Sequence, residues 1–72
     1  MKVKVGDKII YEPWHGPKMT AAIEGIQICR QGEKYGREVG SCDISKYYGV
    51  LDLDNGHWCY FYQVKQVIRQ AK

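Results

Sequence analysis

No apolar stretch in this 72-residue chain approaches the roughly 20 residues that a membrane-crossing helix needs. The opening, Met1-Lys2-Val3-Lys4, alternates charged and apolar residues and has none of the apolar core of a signal peptide. Cysteine is scarce and odd in number: Cys29, Cys42 and Cys59. An odd count without an export signal implies reduced thiols in a cytoplasmic protein, although one pairing among the three stays open. There is no Cys-x-x-Cys pair, so Cys29, Cys42 and His57 fit no zinc-ribbon or finger spacing. His57 and Cys59 alternate on one strand face, which gives two potential ligands and no metal site. Gly32, Gly36 and Gly40 follow no phosphate-cradling pattern. Cys59 and His57 would form a nucleophile and base with no third group to activate them. These absences imply a non-enzymatic protein without metal or cofactor.

Charge is also modest. Eleven Lys and Arg oppose eight Asp and Glu, a net +3, and no run of like charges forms a tail. Such a balance permits a phosphate-bearing partner without requiring one.

What the chain does have is β-forming sequence. Lys8-Ile9-Ile10-Tyr11-Glu12 reads as a strand entered from a tight turn at Gly6-Asp7. Pro13, Gly16 and Pro17 mark a loop carrying Trp14 and His15. Met19 to Arg30 reads as a second β region with a bulge or sharp bend at Gly25. Ala21 and Ala22, with Pro17 ahead of them, allow a helix over residues 18–24 as the alternative. Residues 31–46 read as a long polar loop, with Tyr35 its only aromatic residue before the hairpin. Such loops are often functional or ordered only on binding.

Tyr47 to Tyr62 reads as two strands meeting at Asn55-Gly56, a pair that suits a two-residue type I′ turn. That register sets Leu53 opposite Trp58, Leu51 opposite Tyr60 and Gly49 opposite Tyr62. A short turn over residues 63–66, with 3₁₀ geometry as one option, would precede a last strand at Val67-Ile68-Arg69, and residues 70–72 would fray. The order predicts one all-β domain over residues 1–72, a small five-stranded barrel with a long loop at 31–46.

Val5-Gly6-Asp7-Lys8-Ile9-Ile10, Ile23-Glu24-Gly25-Ile26, Val50 to Gly56 and Val67-Ile68 together resemble the SH3-like barrel superfamily, especially its compact Tudor and KOW-type members. Members bind peptides, methylated side chains, nucleic acid or small ligands, and a few are enzymes, so the resemblance implies an architecture and leaves the activity open. The Tudor likeness implies an aromatic cage drawn from Trp14, Tyr47, Tyr48 and Trp58, with Asp52 or Asp54 nearby. The Asp-Tyr-Gly turn of many Tudor domains is replaced here by Asp54-Asn55-Gly56. Gly6-Asp7-Lys8-Ile9 is also similar to the opening of type II dihydrofolate reductase, an SH3-like barrel whose active site forms between subunits. Its Val-Gln-Ile-Tyr active-site run is absent, and Cys59-Tyr60-Phe61-Tyr62 stands in its place.

A domain this short buries only about 60% of its unfolded surface, so its aromatic residues cannot all be interior. The leading expectation is a binding module whose surface combines Trp14, Tyr47, Tyr48, Trp58, Tyr60 and Tyr62. Its partner would be a protein segment or an identical subunit, and homo-oligomerisation would support the small core. The alternative is nucleic-acid binding along a basic edge, with Lys2 and Lys4 brought beside Lys65 and Arg69 by neighbouring terminal strands. Brevity and a lone domain also fit a small accessory protein of a phage, plasmid or other mobile element.

Overall fold

The computed structural model describes residues 1–29 and 36–68. Arg69, residues 70–72 with their expected fraying, and residues 31–35 of the expected loop, Tyr35 included, lie outside them. The chain is all-β and antiparallel. Its strands are β1 (Lys2–Lys4), β2 (Lys8–Tyr11), β3 (Met19–Cys29), β4 (Arg37–Val39), β5 (Ser41–Asp43), β6 (Tyr48–Leu53), β7 (Trp58–Tyr60) and β8 (Val64–Ile68), with a 3₁₀ turn at Phe61–Gln63. The main sheet runs β7-β6-β3-β2-β8, with β4 also on β3; β1 and β5 form a separate pair.

β1 and β2 are two arms of one bent segment. The Asp7 N–H donates to the Lys4 carbonyl at 3.0 Å, while the Lys4 N–H donates to Asp7 Oδ2 at 3.1 Å. Gly6 sits between them at φ 98°, which a side chain would make costly. Reciprocal bonds between Gly6, Asp7 and Ile23 then lock the corner onto β3.

β3 organises the sheet. Its first half pairs with β2 and its second half is gripped by β6 on one edge and β4 on the other. Register against β6 shifts between Ile23 and Gly25, the point where the sequence predicts a bend. Residues 19–24 are strand rather than helix, since Ala21 and Ile23 point inward between the more exposed Ala22 and Glu24.

Two expectations are corrected. Eight strands replace five, because β1 is a strand separate from β2 and because residues 37–39 and 41–43 of the expected loop are β4 and β5. Each is three residues long, too short to show alternation, and each exists by pairing with an edge already present: β4 with Ile26 to Ile28 and β5 with β1. The final strand also begins earlier, at Val64, and the 3₁₀ turn precedes it.

The second correction concerns the hairpin. β6 pairs with β7 as Val50 with Tyr60, Leu51 with Cys59 and Asp52 with Trp58, one residue away from the two-residue turn. Among the described residues, no non-glycine has positive φ, so Asn55 is not in a type I′ turn; Gly56 alone turns at φ 83°. Asp54-Asn55-Gly56 is a three-residue loop closed by the Leu53 N–H to the His57 carbonyl at 2.9 Å, the arrangement in which glycine follows a type I turn. Side chains explain the choice. Asp54 is held on β3 by bonds to both backbone groups of Ala22. Asn55 Oδ1 accepts from the His57 N–H at 3.0 Å, and its Nδ2 donates to the Tyr11 hydroxyl at 3.0 Å.

That offset sorts the faces, because a one-residue slip exchanges every side chain. Leu51, Leu53, Cys59 and Phe61 enter the core with Val3, Ile9, Ile23 and Ile26, while Trp58 remains exposed. Phe61, not Tyr62, lies over Gly49. A Cβ there would sit 2.0 Å from the Gln27 carbonyl oxygen and 2.6 Å from Phe61 Cζ.

Gly49→Ala is therefore expected to destabilise the fold by about 2–3 kcal/mol, the scale of core overpacking, measured as a lower denaturant midpoint at unchanged slope. Burial also pushes the Cys59 thiol up to about 12. The folded state keeps this proton after the unfolded chain has lost it, so stability contributed by Cys59 falls as pH rises from its ordinary 9.0 towards that value. Cys59→Ala should flatten the alkaline decline in unfolding midpoint; an unchanged decline refutes this assignment.

Candidate aromatic interaction site

β7 delivers Trp58 and Tyr60 to one face because they are two residues apart with Cys59 turned inward. The 3₁₀ turn then sends Phe61 into the core and returns Tyr62 to the surface. Tyr60 and Tyr62 stack with centroids 5.4 Å apart and planes 8° apart. On the other side Trp14 stacks on Tyr60 at 5.7 Å and 29°, and Trp58 meets Tyr60 edge-on at 5.1 Å and 87°. Both geometries are favourable for aromatic rings, each worth about 0.5–1.5 kcal/mol beyond burial.

Tyr60 is thus the hub of a four-ring cluster assembled from the 12–18 loop, β7 and the 3₁₀ turn. Although the rings contact one another, Trp14 is 68% exposed, Trp58 55% and Tyr62 64%. The chain thus gathers an exposed aromatic cluster in one place, which makes this face the candidate site.

The residue that sets this cluster in place is Gln63, which the sequence shows only as part of a turn. It is buried. Its Oε1 accepts from the Tyr60 N–H at 2.8 Å, and its Nε2 donates to the Glu12 carbonyl at 3.1 Å. The Glu12 N–H donates to the Gln63 carbonyl at 3.0 Å. One side chain therefore ties the end of β7 to the root of the Trp14 loop. A neutral side chain with both an acceptor and a donor is required.

Two depressions meet at Tyr60. The smaller, about 160 Å³, lies among Pro13, Trp14, Trp58 and Gln63. The larger is an open groove of about 660 Å³, inside the roughly 300–1,000 Å³ of ligand clefts. Tyr47, Tyr48 and Val50 line it together with Tyr60, Tyr62 and Val64. The six predicted aromatic residues thus divide between the two depressions, with Tyr60 common to both. Ile44, Val50 and Val64, which carry no polar signal in the sequence, are among the other residues that line the groove.

A polar knot supports the segment between β5 and β6. Asp43 Oδ1 accepts from the Met1 amino group at 3.1 Å and from the N–H and hydroxyl of Ser45. The Ser45 hydroxyl first, then the amino group, hold the Asp43 carboxyl down at about 2. The Ile44 N–H also donates to the Met1 carbonyl at 2.9 Å.

The other candidates fall elsewhere. Lys2 and Lys4 are on β1, paired with β5, and Lys65 is on β8, paired with β2; the two strands are not paired with each other. Arg69 lies outside the described residues. His57 is exposed while Cys59 is buried, and all three cysteines are free thiols. No three His, Cys, Asp or Glu side chains gather among the described residues, and no helix among them is long and apolar enough to cross a membrane. Comparison with protein-family models, curated proteins and solved structures returned no match.

Gln63→Leu should leave the Tyr60 N–H and Glu12 carbonyl unsatisfied and cost about 1–3 kcal/mol. Proton NMR should show the Trp14 indole shifting more than that of Trp58. Equal, negligible shifts at both indoles would mean that Gln63 does not position the loop.

Proposed function

We propose that this protein is a non-catalytic interaction module with an SH3-like barrel architecture, and that its aromatic face receives a protein segment, from another chain or from an identical subunit. The carrying observation is the contiguous cluster of Trp14, Trp58, Tyr60 and Tyr62, more than half exposed at three of its four rings. Strand order supports the architecture: a long bent β3 shared between partners, β8 returning to β2, and a 3₁₀ turn before the last strand.

Such a surface stabilises a complex mainly by leaving water. Rigid rings already packed on one another lose little side-chain freedom when covered. Tyrosine and tryptophan are the residues that most often dominate binding energy at the centre of an interface. Tyr62 and Trp58 carry hydrogen-bonding groups on apolar bodies, suited to an edge where one side is dry and the other wet.

The test is solution mass by light scattering together with NMR titration by short apolar peptides, for the wild type and for Trp58→Ala. Either self-association or peptide-induced shifts at the Trp14 and Trp58 indoles are expected, weakened by at least about tenfold in the variant, as for a central aromatic anchor. A monomer whose indole signals ignore every peptide would refute the reading.

A further inference from the structure

We infer that the larger groove beside Tyr60 selects a protein segment that carries a carboxylate next to its apolar side chains, with Lys46 as the residue that receives it. The inference rests on the reading of the aromatic face as an interaction surface and adds the chemistry of the partner.

Charge distribution carries the argument. The groove lining is apolar and aromatic, from Ile44 through Tyr48 and Val50 to Tyr62 and Val64. Among the described residues neither Asp nor Glu belongs to it, and Lys46 is the one charged side chain in its lining. Met1 also lines the groove, but the charge of its amino group is already met by Asp43 at 3.1 Å. Asp43 Oδ1 in turn takes that group and Ser45, and among the described residues the Asp43 carboxylate forms its ion pair with Met1 and none with Lys46. Among the described residues Lys46 makes no ion pair; only its backbone is engaged, the N–H donating to the Asp43 carbonyl at 3.0 Å. An uncompensated ammonium at an apolar groove rewards a ligand that brings the opposite charge and discriminates against one that brings its own. The Asp43 knot makes the site more than a solvated lysine, because it holds the segment bearing Lys46 against the chain start. The position of the charge relative to Tyr47 and Tyr48 is therefore constrained.

Orientation follows. A segment lying over Tyr60 and Tyr62 places its carboxylate at the end of the groove formed by the β5–β6 connection. Its apolar side chains then cover the stacked tyrosines. Phosphate would satisfy Lys46 as well, but among the described residues the groove lining presents this one unmatched cation, whereas backbone-tracking nucleic-acid sites use a row of them.

The test uses two short synthetic peptides with the same Leu-Tyr-Leu centre, one flanked by glutamates and one by lysines, titrated by NMR and calorimetry. A single-stranded oligonucleotide serves as the third probe. The glutamate peptide is expected to bind about three- to tenfold more tightly, with the largest shifts at the Tyr48, Gly49 and Tyr62 amides. Lys46→Glu should invert the preference, and added salt should shrink it. Lys46 is exposed and its side chain makes no hydrogen bond among the described residues, so an unchanged unfolding midpoint verifies that the variant folds. Equal binding of both peptides, preference for the lysine peptide, or an unaltered preference in Lys46→Glu overturns the inference while leaving the interaction surface standing. Tighter binding of the oligonucleotide at the same amides also overturns it. If no peptide binds and the chain self-associates through Tyr62, the groove belongs to a second copy and the inference fails. Absence of both peptide binding and self-association removes the interaction surface itself.

Discussion

The pairing of Leu51 with Cys59 across the β6–β7 hairpin is the constraint on which the rest of the molecule depends. A side chain in a strand has only two directions available, and the hairpin loop decides which residues share one. With three residues in the loop, the two leucines and the slim Cys59 fill a core that Phe61 closes against Gly49. The voluminous Trp58 and Tyr60 are left on the outer face. With two residues in the loop, Leu51 and Leu53 would share a face with both large rings, while Asp52 would face the same way as Cys59 and Phe61. The small core excludes that arrangement on volume and on charge.

From this constraint the exposed aromatic surface follows with little further instruction. Once Trp58 and Tyr60 are outside, the tight 3₁₀ turn returns Tyr62 beside Tyr60, since the intervening Phe61 is drawn inward. Trp14 comes from a distant loop and needs its own fastening, which Gln63 supplies. The surface thus combines a part dictated by strand alternation and a part dictated by one buried amide.

Much of this was legible in the residues. The all-β character, the bend at Gly25 and the existence of a hairpin at Asn55-Gly56 each have a local cause in β-propensity, a missing Cβ or turn chemistry. The aromatic residues are conspicuous for the same reason: there are too many to bury. Other features depend on partners remote in sequence. Ser41-Cys42-Asp43 becomes a strand because β1 offers an edge, and nothing in those three residues declares it. Asn55 prefers a side-chain bond to the His57 N–H over the positive φ its dipeptide suggests, and its second bond goes to Tyr11, far away in sequence. Gln63 reads as an ordinary polar turn residue until Glu12 is brought opposite it. The groove escapes notice because Val50 and Val64 look like core residues and Lys46 looks like solvent-facing charge.

The arrangement around Tyr60 has an optical consequence. The chain contains two tryptophans, and both rest on this one tyrosine ring. Intrinsic tryptophan emission therefore arises wholly from the candidate interaction face, with no indole in the core to mask it. A change in its wavelength or intensity reports the hydration of that face directly, and the unlabelled protein serves as its own sensor of occupancy.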